Sequence, residues 1–152
     1  MILAEHNNDL LIFESTTGCD EECVITKKKQ NGTQAHYIDS RLQSYRGKVW
    51  HYPLLRPLRT GERKKLSSYL VSSLGIPYDT RGASQSGGKL WSLIESRLHK
   101  ESLSSLFCSE WVAAGLREIE RFDTINASAW SPNSLIRECN ERGMLRQCRR
   151  IK

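Results

Sequence analysis

Five cysteines and four histidines carry the most reactive side chains of this 152-residue chain. Cys108 is the one whose setting favours nucleophilic chemistry. It follows Ser104 and Ser105, whose hydroxyls suit the start of a helix, and it opens an amphipathic run. Cys108, Trp111, Val112, Gly115, Leu116 and Ile119 fall on one helical face. The first turn of a helix gathers unpaired backbone N–H groups and the positive end of the macrodipole. That environment favours a thiolate over a thiol. The same donors suit the oxyanion that forms when a thiolate attacks a carbonyl. The plain alternative is a space-filling residue, since free cysteine is among the most buried side chains.

The other candidates are weaker. Cys19 and Cys23 form a C-x3-C pair, and Cys139 and Cys148 stand nine apart. A structural zinc ion needs four ligands in a cage-forming spacing. No second knuckle is present, so no metal and no cofactor are expected. An odd number of cysteines argues against a disulfide framework. His6 lies in a turn, His51 in a strand and His99 at a helix end. His36 lies on a strand and could face a cleft.

Positioning these groups requires a frame. Residues 1–4 and 10–13 are apolar runs around a loop of turn formers that includes Asn7 and Asn8, a hairpin pattern. Residues 33–38 and 48–55 read as further strands, with Pro57 stopping the latter. Residues 41–45 allow one helical turn. From Thr60, a plausible N-cap, the period becomes helical: Leu66, Tyr69, Leu70 and Leu74 share a face, and Gly75 suits the end. Residues 82–88 read as a loop and 90–98 as a helix. Ser131 and Pro132 are an N-cap and first-turn proline for a last helix ending at Gly143. Residues 144–151 read as a basic edge strand. Strands followed by helices predict a single α+β domain over 1–152, with helices packed on an antiparallel sheet.

The segment from Ser105 through Phe107, Cys108, Ser109, Glu110 and Trp111 to Leu116 resembles the nucleophile helix of permuted papain-like NlpC-type cysteine peptidases, the YiiX/YebB-like group. Other segments resemble that group in the same order. They are residues 10–16 with Glu14 at a strand end, 32–39, 75–79 and 126–132. The resemblance implies a permuted papain-like fold. It implies a Cys–His pair with a third polar residue that orients the imidazole. Carried over by position, Cys108 is the nucleophile, Glu14 the candidate polar residue and Tyr78 a candidate cleft residue. In the group the histidine precedes the first strand, which here corresponds to residues 1–4. None of the four histidines matches that place, and His36 is the substitute candidate. Weak or absent peptidase activity is therefore expected of residues 1–152.

The formal net charge is +6, with 23 Lys and Arg against 17 Asp and Glu. Basic runs at 27–29, 56–65 and 146–152 lack the aromatic spacing of a nucleic-acid module, which argues against that partner. No apolar run reaches membrane-spanning length, and no secretory signal is seen. A soluble, cytoplasmic protein is the expectation. The leading functional expectation is a cysteine hydrolase of amide, peptide or isopeptide bonds. The alternatives are a non-catalytic binding module with a basic surface, and an acyltransferase or esterase acting on a lipid ester.

Overall fold

The computed structural model describes residues 1–78, 108–123 and 130–152. Strand β1 (Ile2–His6) turns through Asn7 and Asn8 into β2 (Asp9–Thr16). Both asparagines have positive φ, at 50° and 69°. Asparagine tolerates that region, and a two-residue turn of this hand matches strand twist. β2 then pairs antiparallel with β3 (Gly32–Tyr37), giving a three-stranded sheet in the order β1–β2–β3.

The register decides which face each side chain serves. Ile2 stands opposite Phe13, Ala4 opposite Leu11, and Phe13 opposite Ala35. These residues share one face, because successive side chains alternate across a strand. That face carries the core: Ala4, Leu11, Phe13 and Ala35 pack with Leu66, Leu70, Trp111 and Ile119. Ile12, Glu14, Gln34 and His36 share the opposite face and are also buried.

Four helices are present among the described residues. α1 (Ile38–Ser44) follows β3 directly. α2 (Thr60–Ser72) begins one residue earlier than a Thr60 cap would place it, with Arg59 at the N-cap. The cap works through Glu62, whose Oε2 accepts from the Arg59 backbone N–H at 2.6 Å. α3 (Cys108–Glu118) is buried more widely than a single stripe predicts. Trp111 and Ile119 face the sheet and α2, while Ala113 and Ala114 pack with Phe122, Leu135 and Cys139. The helix is thus wedged between the sheet layer and α4 (Pro132–Glu141). α4 starts as the sequence predicts, with Ser131 Oγ accepting from the Ser134 N–H at 3.2 Å.

The strand read over 48–55 is much shorter in the structure. Only β4 (Trp50–His51) is regular, and it pairs with β5 (Arg149–Arg150) in a separate two-stranded sheet. A bridge between Leu54 and Leu145 extends the contact. The C-terminal segment is therefore tied to 49–55 and not to the main sheet. Lys152 O accepts from the Val49 N–H at 3.2 Å, and Ile151 N–H donates to Val49 O at 2.9 Å.

The segment after α2 is stitched to the start of β3. Thr33 N–H donates to Ile76 O at 2.9 Å, and Gly75 N–H donates to Thr33 O at 3.0 Å. Thr33 Oγ1 donates to Ser73 O and accepts from the Ile76 N–H at 2.9 Å. Gly32 permits this approach: its φ is +133°, and a Cβ there would lie 2.0 Å from Ile76 O. The chain is an α+β protein with antiparallel sheets. No helix among the described residues is long and apolar enough to cross a membrane. The loop at 82–88, the helix at 90–98, His99, and Ser104 and Ser105 lie outside the described residues.

Candidate functional site

Glu14 comes from the middle of a strand whose two neighbours leave it no solvent. It is 2% exposed and faces away from the apolar core. A buried carboxylate needs a partner, and α1 supplies one. Arg41, also buried, donates through Nε to Glu14 Oε1 and through Nη2 to Oε2 at 3.2 Å. The planar guanidinium meets both carboxylate oxygens, an arrangement lysine cannot make. The Arg41 guanidinium also stacks 5.3 Å from the Tyr45 ring centre. Arg41 is 27 residues from Glu14 in sequence and carries no sequence signal beyond its helical turn.

His36 is fully buried on the same sheet face. Its Nε2 lies 3.8 Å from Glu14 Oε1 and 3.7 Å from Cys19 Sγ. Its Nδ1 lies 3.8 Å from Glu21 Oε2 and makes no hydrogen bond of normal length. Glu21 itself accepts from Ser44 Oγ, which ties the 17–31 loop to α1. Burial pushes the His36 imidazole below its ordinary value, against the pull of Glu14 and Glu21. Burial pushes the Cys19 thiol up, partly offset by the Glu21 backbone N–H and the Arg41 charge. The pair at neutral pH is a neutral imidazole facing a thiol. Gln34, paired across the strands with Glu14, is fully buried, and neither atom of its amide has a hydrogen-bond partner among the described residues.

Cys108 is the first described residue of α3 and is half-buried. The helix is positioned by its neighbours. Trp111 Nε1 donates to Ser73 Oγ at 2.7 Å, and its ring meets Phe13 edge-on at 6.4 Å. Ser109 Oγ donates to Trp130 O. Gly115 lets α3 approach α2 and β1, because a Cβ there would lie 3.2 Å from Leu66 and 3.4 Å from Ile2. Met1, just ahead of β1, is exposed.

The four sequence candidates therefore separate. Glu14 and His36 stand together on one sheet face. Cys108 lies on α3, which packs through Trp111 on the sheet's other, apolar face. Among the described residues, no hydrogen bond or ion pair joins His36 to Cys108; its polar neighbours are Cys19, Glu14 and Glu21. Tyr78 is half-buried just past the stitched segment 73–76. The C-x3-C pair also separates: Cys19 faces His36, while buried Cys23 accepts from the Ala35 N–H at 3.3 Å. Cys19, Glu21 and Arg41 were not legible as site residues. Their only sequence signal is proximity to a loop that folds back over β2 and β3.

Compared with protein-family models, curated proteins and solved structures, the chain gives no match.

Proposed function

We propose that the chain is a thiol-dependent hydrolase of amide, peptide or isopeptide bonds, with Cys108 as nucleophile. One observation carries the reading. Residues 105–116 resemble the nucleophile helix of permuted papain-like peptidases, and the described part of that helix holds Cys108, half-buried, in a helix packed on the sheet through Trp111. In that arrangement the Cys108 sulfur attacks the carbonyl carbon of the bound substrate. The N–H groups at the start of α3 receive the oxyanion. The amine leaves with a proton, and water then releases the acid from the thioester. None of the chain's four histidines matches the place of that group's proton acceptor, so weak turnover is expected of residues 1–152. His36 is held by other partners, which favours a structural or separate role for it.

The test is covalent trapping by a peptide-like electrophile, read by mass spectrometry of the intact chain and its peptides. The reading expects one label per chain, placed on Cys108 and lost in Cys108→Ala. Equal reaction of all five cysteines in the native state, or a label elsewhere that survives Cys108→Ala, would overturn it.

A further inference from the structure

From the arrangement of Cys19, His36 and Glu14, we infer a binding site for a zinc-class divalent cation, with Glu21 as the carboxylate behind the histidine. The inference does not rest on Cys108 chemistry. Three kinds of ligand atom converge: a thiol sulfur, an imidazole nitrogen and a carboxylate oxygen, all within 4.8 Å of one another. This is the ligand set that borderline dications prefer over magnesium or calcium.

The spacing fits the ion. Bond lengths of about 2.3 Å to sulfur and about 2.1 Å to nitrogen and oxygen, at tetrahedral angles, put neighbouring ligand atoms about 3.4–3.6 Å apart. Cys19 Sγ to His36 Nε2 is 3.7 Å, and His36 Nε2 to Glu14 Oε1 is 3.8 Å. A shift of a few tenths of an ångström closes both edges. His36 is fully buried and directs Nε2 between the other two ligands. Its remaining nitrogen faces Glu21 at 3.8 Å. A metal-bound histidine commonly gives its other N–H to a carboxylate, which fixes the ring and the tautomer.

Charge balance points the same way. Glu14 and Glu21 carry two negative charges against the single positive charge of Arg41. A dication that displaces the Cys19 proton to solvent adds two positive charges and one negative, and brings the group to zero. The Arg41 pair does not block the site, because a carboxylate has about four lone-pair positions and Arg41 takes two. Three protein ligands leave a fourth position for water. Glu14 is the residue shared with the hydrolase reading.

The experiment titrates the full chain with Zn²⁺ against a chromophoric chelator, and with Co²⁺ followed by absorption. The expectation is one ion per chain and a thiolate-to-cobalt charge-transfer band. Both are lost in Cys19→Ser and His36→Ala. Both persist in Cys23→Ser, Cys148→Ser and Cys108→Ala, so a failed hydrolase leaves this result intact. Glu21→Gln weakens affinity about 10–100-fold. Cys19 is half-buried in a loop, so Cys19→Ser keeps the test valid if His36→Ala misfolds; circular dichroism checks each variant. Unchanged zinc affinity in folded Cys19→Ser, or a cobalt spectrum without the sulfur band, would overturn the inference.

Discussion

Replacing Gly32 by alanine should destabilise the protein more than any other single methyl added to a described glycine. At φ +133° only glycine is comfortable, and holding alanine there costs about 1–3 kcal/mol. The added Cβ would sit 2.0 Å from Ile76 O, and that atom is backbone, so it cannot swing aside as a side chain would. Relief requires moving the 73–76 segment off β3. Five hydrogen bonds centred on Thr33 hold that segment, the Thr33 hydroxyl sharing its proton between Ser73 O and Ile76 O. Losing two of them at about 1 kcal/mol each brings the total to about 3–5 kcal/mol. Urea unfolding followed by tryptophan fluorescence measures it, with an unchanged slope marking a true stability change. Gly61→Ala is the internal control. A Cβ there meets open space inside α2, so the same methyl should be neutral or stabilise by about 0.5 kcal/mol. The displaced segment also carries Ser73, which holds Trp111 of the Cys108 helix, so labelling of Cys108 should fall as well. A Gly32→Ala protein within about 0.5 kcal/mol of the parent would refute the stitching argument.

Ser73→Ala leaves the buried Trp111 Nε1–H without its acceptor, and a loss of about 1–3 kcal/mol in denaturant unfolding is expected. Arg41→Met strands the Glu14 carboxylate in the interior and should cost about 3–5 kcal/mol; pairing it with Glu14→Leu should recover most of that, read by a double-mutant cycle. Glu62 is held well below the usual carboxylate range by the Arg121 fork, then by the Arg59 backbone and side chain. A depressed folded pKa gives stability that is complete above the unfolded value of about 4.3 and is lost as pH falls. The stability gap between the parent and Glu62→Gln should therefore be flat near neutrality and shrink below about pH 4.3, by unfolding at a series of pH values. A gap independent of pH across that range would contradict the linkage.

Local rules carried far in this sequence where the chain answers to its neighbours. Asn7 and Asn8 mark the hairpin, and Ser131 with Pro132 marks the start of α4, because turn and cap chemistry is decided within a few residues. Thr60 is not the cap because the helix starts one residue earlier, at an Arg59 N-cap whose backbone N–H is held by the Glu62 carboxylate. The strand over 48–55 fails for a different reason. Its alternation is real, but its partner is the 145–150 segment, which offers only a short edge. The site divides along the same line. Glu14 was read at a strand end, but β2 continues to Thr16, and Cys108 was read at a helix start, which lies beside residues outside the described ones. The Arg41–Glu14 and Cys19–His36 contacts span 27 and 17 residues, and no periodicity encodes a loop that returns across a sheet face. His36 was read toward Cys108, whereas the returning loop brings it Cys19 and Glu21.

The pairing of β4 with β5 bears on the order in which the molecule assembles during synthesis. β1, β2 and β3 can meet as soon as the first 37 residues are free of the ribosome, through contacts close in sequence. Trp50 must wait for Arg150, so the small sheet closes after α2, α3 and α4 have all been made. Closing so long a loop carries an entropic cost that grows only slowly with its length, and it is smaller once the intervening helices are packed. The small sheet is thus the last part to form and the first to open, and its backbone amides should exchange with solvent before those of the three-stranded sheet.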